Sequence, residues 1–176
     1  MSMSKRQSGF TMIEVLVTIA ILVIGLLGLA AMQTLSTVAE LESYQRSQAL
    51  VLVRDLAERM NGNKTEINSY VVTNAGLASA DCSGFTNGYR LDLCEWGNQL
   101  NGVAEVSADG RNIGSMIGAR GCVVRLDPTT WMVTVAWQGL SRAGKPKEAC
   151  GDGAFGDDNQ RRTVSQVVRL ALLAAP

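Results

Sequence analysis

From Phe10 to Met32 the chain is apolar and carries a single charge, Glu14, and a stretch of that length and character leaves few folds open. As a helix rising about 1.5 Å per residue it measures roughly 35 Å, enough to cross a hydrocarbon core of about 30 Å with modest tilt. An unpaired carboxylate near its start costs about 2.5 kcal/mol or more inside the bilayer, so an ionisable residue placed there is a functional candidate. Glu14 therefore needs a partner.

The flanks set the orientation. Lys5 and Arg6 are the only charges ahead of the stretch, and Glu40 and Glu42 are the first beyond it. Cytoplasmic flanks are the ones enriched in Lys and Arg, which predicts a single pass with the N-terminus inside and the rest exported. A secretory signal peptide has an apolar core of about 7–15 residues before a small-residue cleavage site. Gly28-Leu29-Ala30 has the look of such a site, but the apolar run is too long for that core and an embedded Glu14 does not belong in it.

Lys5-Arg6-Gln7-Ser8-Gly9 followed by Phe10-Thr11-Met12-Ile13-Glu14-Val15-Leu16 resembles the class III leader of the type IV pilins and pseudopilins. The resemblance implies that a prepilin peptidase removes residues 1–9 by cutting after Gly9 and methylates the new amino group of Phe10. Residues 10–32 then form a transmembrane and assembly helix, and residues 33–176 a periplasmic head. Glu14 would pair with the Phe10 ammonium of its own subunit or of a neighbour shifted along the filament axis, which satisfies a buried charge and fixes register. By the same resemblance the chain is a structural subunit, a minor pilin. It would act with other minor pilins and the major pilin in initiating assembly and in the pilus tip complex, supporting twitching motility and adhesion.

The implied partners are the prepilin peptidase, the inner-membrane assembly platform and membrane lipid. The implied location is the inner membrane and then the pilus at the cell surface. A minor pseudopilin of a type II secretion system shares this plan, and a membrane-anchored adhesin or binding module is the alternative from another class. Many major pilins carry a proline in the apolar half of the helix; here the first proline is Pro128. Gly25 and Gly28 are the small residues that would permit close helix contacts.

From Gln33 to Met60 the pattern turns amphipathic. Leu35, Val38, Leu41, Ala49, Leu52, Val53, Leu56 and Met60 share one helical face, and Glu42/Arg46 and Asp55/Arg59 stand at the supportive i,i+4 spacing. Asn61-Gly62 supplies the stop, so one helix of about 50 residues is expected, its amphipathic half being residues 33–61. Residues 62–120 read as an irregular connection with a short helix over Tyr89–Leu100. Cys122 to Leu126, the turn Asp127-Pro128-Thr129-Thr130, and Trp131 to Trp137 read as a strand, a turn and a strand.

In the second strand Trp131, Val133, Val135 and Trp137 alternate with Met132, Thr134, Ala136 and Gln138. A Gly- and Asp-rich loop leads to a last strand over residues 162–173, with Val164, Val168, Leu170 and Leu172 on one side. The expected fold is α+β. A long N-terminal helix, half transmembrane and half amphipathic, packs on a small antiparallel sheet within residues 121–173, which is also the type IV pilin plan.

The chemistry-bearing residues point away from catalysis. The chain has no histidine, no C-x-x-C pair and no Gly-x-Ser-x-Gly elbow, so no enzyme activity, cofactor or metal is expected. Four cysteines, Cys82, Cys94, Cys122 and Cys150, lie beyond a segment able to cross a membrane, which favours disulfides in an oxidising compartment. Three connectivities are open. Cys82 with Cys94 and Cys122 with Cys150 is favoured because each pair closes a short Gly-rich loop.

Residues 151–159 are acidic and Gly-rich, a composition that suits calcium, but they lack EF-hand spacing and read as a solvated loop. Arg161, Arg162 and Arg169 on a neutral chain are too few to expect nucleic acid as a partner. Trp96, Trp131 and Trp137 read as packing residues.

Overall fold

The structure, a computed structural model, describes residues 9–103, 107–110, 112 and 116–170. Residues 1–8 of the expected leader (1–9), with Lys5 and Arg6, and residues 171–173 of the expected last strand lie outside the described residues. The elements in chain order are helix α1 (Met12–Gly62), a 3-10 turn (Lys64–Tyr70), strand β1 (Val72–Ala75), helix α2 (Tyr89–Leu100), strands β2 (Arg120–Asp127) and β3 (Thr130–Gln138), a second 3-10 turn (Asp158–Gln160) and strand β4 (Arg161–Arg169). The chain divides into two compact units, residues 1–41 and residues 42–176.

The first unit is helical from Met12 onward, and its apolar side chains are exposed from Phe10 at 84% to Leu35 at 71%, with Val38 half-buried and Leu41 exposed at 48%. Hydroxyls in and just beyond the apolar run are satisfied locally. Thr18 donates to the Val15 carbonyl at 2.8 Å and Thr34 to the Ala30 carbonyl at 3.2 Å, so neither leaves an unpaired polar group facing an apolar environment. Side chains added at Gly25 or Gly28 would meet nothing within 4 Å. Leu35 and Leu41, expected on the packed face, are exposed as well.

In the second unit the packed face of α1 consists of Gln45, Ala49, Val53, Leu56, Ala57 and Met60, spaced three and four apart so that they form one stripe. It lies on a four-stranded antiparallel sheet of order β1-β2-β3-β4. Three strands were expected from the sequence; β1 is the fourth. It is a four-residue strand, Val-Thr-Asn-Ala, pairing Val72 with Val123 and Ala75 with Gly121, and it falls within the segment read as irregular. The turn between β2 and β3 is held by Asp127, whose Oδ1 accepts from the Thr129 amide at 2.8 Å and from the Thr129 hydroxyl at 3.0 Å.

The core combines the α1 stripe with Ile67, Tyr70, Trp96, Leu100, Val123, Val164, Val168 and the odd-numbered β3 residues Trp131, Val133, Val135 and Trp137. The even-numbered β3 residues do not face water as simple alternation suggests. Thr134 and Ala136 are also buried, and Ala136 joins Cys122, Cys150 and Phe155 in a second cluster on the opposite face of the sheet. The loop between β3 and β4 supplies Cys150 and Phe155, so β3 is sandwiched on both sides.

Helix α2 has the span read from the sequence, and its anchor is Trp96. The indole N–H donates to the Leu52 carbonyl of α1 at 2.9 Å. Its ring lies against Gly121 of β2, where an added Cβ would overlap the ring and approach Leu100 Cδ1 to 2.7 Å. A charged cluster closes the same end. Arg59 bonds Asp55 at 3.0 Å, Glu95 at 2.6 Å and Asp92 at 3.3 Å, and Asp92 in turn accepts from the Tyr70 hydroxyl. Burial, reinforced by Asp92, pushes the Tyr70 phenol up to about 12, so it remains a donor throughout the physiological range. Gly121→Ala should destabilise the protein by about 1–3 kcal/mol, the usual cost of overpacking a core, measured as a lowered denaturation midpoint with near-unchanged slope.

Candidate functional site

The chain enters α1 through Gly9 and Phe10, both exposed and outside the helix. Thr11 is the cap. Its carbonyl accepts from the Glu14 amide at 3.1 Å and the Val15 amide at 3.3 Å, and its hydroxyl lies 3.4 Å from the Glu14 amide. Thr11-Met12-Ile13-Glu14 thus has the Thr-x-x-Glu spacing of a capping box, a start signal the sequence reading passed over although all four residues were in view. Glu14 occupies the first turn, where the helix dipole favours an anion by about 0.3–1 kcal/mol. Among the described residues no cation pairs with the Glu14 side chain.

Phe10 precedes Glu14 by four residues in sequence and stands two residues ahead of the first helical residue, Met12. Beyond Glu14, α1 is long and apolar enough to cross a membrane, and none of its most apolar window is buried by the rest of the chain. These residues offer no nucleophile, base or metal-ligating set. What the segment presents is a carboxylate with an open valence at the head of an uncovered apolar helix.

At the start of the second unit, Glu42 ties α1 to the β3–β4 loop. Its Oε1 accepts from the Leu140 amide at 3.1 Å, the Ser141 amide at 2.9 Å, the Ser141 hydroxyl at 2.7 Å and Arg162 Nη2 at 3.2 Å. Glu42 is bonded to Arg162 rather than to Arg46, the partner expected from i,i+4 spacing. Arg162 also reaches the Ser141 carbonyl at 2.7 Å and passes close over Gly139, where a Cβ would come within 2.8 Å of its guanidinium carbon. The Ser141 hydroxyl holds the Glu42 carboxyl below the usual carboxylate range against partial burial; the Ser141 amide, Arg162 and the Leu140 amide add to the effect.

The remaining sequence candidates have structural partners. Disulfides join Cys82 to Cys94 and Cys122 to Cys150, closing segments of 12 and 28 residues in sequence separation. In the acidic loop, Lys145 bridges Asp152 at 2.9 Å and Asp158 at 2.8 Å, and Arg142 pairs with Asp157 at 2.8 Å. Arg161, fully buried, binds the Cys150 carbonyl at 3.0 Å, the Glu148 carbonyl, Asp158 and Asp152. The carboxylates considered for calcium thus face the chain's own cations. Arg161 and Arg162 are both consumed within the fold and do not form an outward basic patch. Trp96, Trp131 and Trp137 are buried packing residues.

Residues 4–30 match the family model described as the prokaryotic N-terminal methylation motif, and residues 31–95 match the family model described as type IV pilin Tt1218. Together they span the helix, the 3-10 turn, β1 and α2 as far as Glu95, just beyond Cys94. The chain belongs to the type IV pilin family. No curated protein and no solved structure matches it closely enough to count as a relative. As a pilin the chain is a structural subunit that assembles with other pilins, and its uncovered apolar helix fits membrane anchoring and a place in the pilus.

The Glu42 clamp carries a pH signature for this pilin. A carboxyl whose pKa is lower folded than unfolded contributes stability that is present above the unfolded value, near 4.5, and lost as pH falls through the folded one. Glu42→Gln should therefore cost about 1.5 kcal/mol or more at neutral pH, the scale of hydrogen bonds to a charged group. The difference from wild type should shrink below the ordinary carboxylate range, as read from denaturation midpoints across acidic pH.

Proposed function

We propose that this pilin is a minor subunit of a type IV pilus, made as a prepilin and cleaved between Gly9 and Phe10. The new Phe10 amine is N-methylated, and the subunit waits in the inner membrane with its head, residues 33–176, in the periplasm. From there it joins other minor pilins to initiate the filament and occupies the tip complex beside the major pilin, supporting twitching motility and adhesion. With two cystine loops, a helix-rich connection and a tryptophan-containing strand, the head most resembles the minor pilin called PilV.

The observation that carries this reading is the Thr11-capped helix start, with Glu14 unpaired among the described residues and placed four residues after Phe10. In the bilayer that charge costs about 2.5 kcal/mol or more until a cation meets it. Cleavage creates such a cation at Phe10 and removes the competing Lys5 and Arg6. Neighbours staggered along an axis then supply each Glu14 with an ammonium in a dry core, where losing one partner of a buried pair costs about 3–5 kcal/mol. The assembly platform and the peptidase act on the segment from outside; the chain contributes the cleavage junction, the charge and the apolar surface.

Mass spectrometry of the mature chain tests the processing. A chain beginning at N-methylated Phe10 is expected, whereas one retaining Lys5 and Arg6, or beginning beyond Ala30, would overturn it. Deleting the gene tests the role. Lost twitching with intact protein secretion is expected, and lost exoprotein secretion with intact twitching would assign the subunit to a type II secretion pseudopilus instead.

A further inference from the structure

Asparagine followed by glycine occurs three times, at Asn61-Gly62, Asn87-Gly88 and Asn101-Gly102. The pair is reactive because glycine, having no side chain, lets its backbone nitrogen swing up to the side-chain carbonyl carbon of the asparagine. In a folded chain the reaction depends on what already holds that nitrogen and that side chain. The fold treats the three pairs differently.

Asn61 and Gly62 are the last two residues of α1, and helical bonding runs past them, since the Asn63 amide donates to the Arg59 carbonyl at 3.0 Å. Asn101 caps α2 in helical conformation, and its side-chain amide donates to the Gly97 carbonyl at 3.2 Å. The buried Gly102 gives its N–H to the Gln99 carbonyl at 2.9 Å. Asn87 is exposed and lies outside helix and strand, and neither its side chain nor the Gly88 N–H has a hydrogen-bond partner among the described residues. Gly88 is itself required, because its φ is +78° and a Cβ there would lie 3.0 Å from Glu66 Oε2. The entry to α2 therefore keeps the glycine that leaves its neighbour vulnerable.

We propose that Asn87-Gly88 is a self-modification site, at which the chain converts Asn87 to aspartate and iso-aspartate through a cyclic imide. Base takes the Gly88 amide proton and the nitrogen attacks Asn87 Cγ. A bond from nitrogen to carbon forms, the bond from Cγ to the side-chain nitrogen breaks, and ammonia leaves with a proton. Solvent water then opens the imide at either carbonyl. The product carries a carboxylate at position 87 and, in the iso form, a main chain longer by one carbon, inside the Cys82–Cys94 loop and directly ahead of α2. Asn87 shares an open depression of about 390 Å³ with Glu66, Gly88, Tyr89 and Arg90, so a surface with one carboxylate and one guanidinium comes to present two carboxylates. The site does not rest on the pilin reading, and its test does not depend on filament assembly.

Trypsin leaves the three pairs on separate peptides, residues 60–64, 65–90 and 91–111. The full chain in detergent micelles is held for several weeks at neutral and at mildly alkaline pH, beside the same chain reduced and unfolded in guanidinium chloride. Mass spectrometry with fragmentation then locates and times each change. In the folded chain Asn87 should convert at least about tenfold faster than Asn61 or Asn101, the factor expected where one ordinary hydrogen bond must first be broken. Conversion should pass through the imide, seen as loss of ammonia, should yield iso-aspartate together with aspartate, and should quicken as pH rises. In the unfolded chain the three rates should converge. Asn87 converting no faster than either other pair, a preference that persists unchanged on unfolding, or aspartate formed without imide and iso-aspartate would each overturn the proposal.

Discussion

An apolar helix that none of its own chain covers, carrying one carboxylate in its first turn, cannot complete its interactions alone. Every apolar residue from Phe10 to Leu35 in the first unit is exposed, including Ile24 at 72%, and Glu14 stands unpaired among the described residues. Water is the wrong solvent for the helix and lipid is the wrong one for the charge. In the assembly proposed above, both conflicts are resolved when identical or related helices pack together with an ammonium at the right depth. The physical incompleteness of this segment, more than any surface feature of the head, is what makes the chain a subunit.

The head is built to a different principle, in which the charged groups packed against its core are answered from within the chain. Trp96 occupies the space that Gly121 leaves open and ties α2 to α1 through the Leu52 carbonyl. Arg59 gathers three carboxylates, Glu42 gathers four donors, and Arg161 is buried beneath a loop whose carbonyls and aspartates it binds. Two disulfides close the stretches where secondary structure is thin, constraining the unfolded chain by about 3–4 kcal/mol each in the loop-entropy account.

Much of this was legible in the sequence because the signals were local. The single charge in an apolar run, the 3.6-residue stripe ending at Asn61-Gly62, the span of α2 and the Asp127-Pro128 turn are all set by neighbours within a few residues. Strand β1 escaped notice because four residues, two of them Thr and Asn, carry no usable alternation; it exists because β2 has an edge to pair. Burial of Thr134 and Ala136 depends on a loop contributed from residues 150 and 155, which no periodicity in β3 encodes. Glu42 illustrates the same limit. Spacing suggested Arg46, but tertiary structure delivered Ser141 and Arg162, each about a hundred residues away in sequence, with more donors than a helix neighbour offers.

The claim on which the account turns is that Glu14 is tolerated because an adjoining subunit meets it. Glu14→Gln keeps the side-chain size and the Thr11 cap while removing the charge, so cleavage and membrane insertion should be unaffected. The amount of this subunit in sheared filaments, relative to the amount left in the membrane, is the quantity to measure. A fall of at least about tenfold is predicted from the cost of leaving the neighbour's ammonium buried and unpaired. Incorporation equal to wild type would contradict the account.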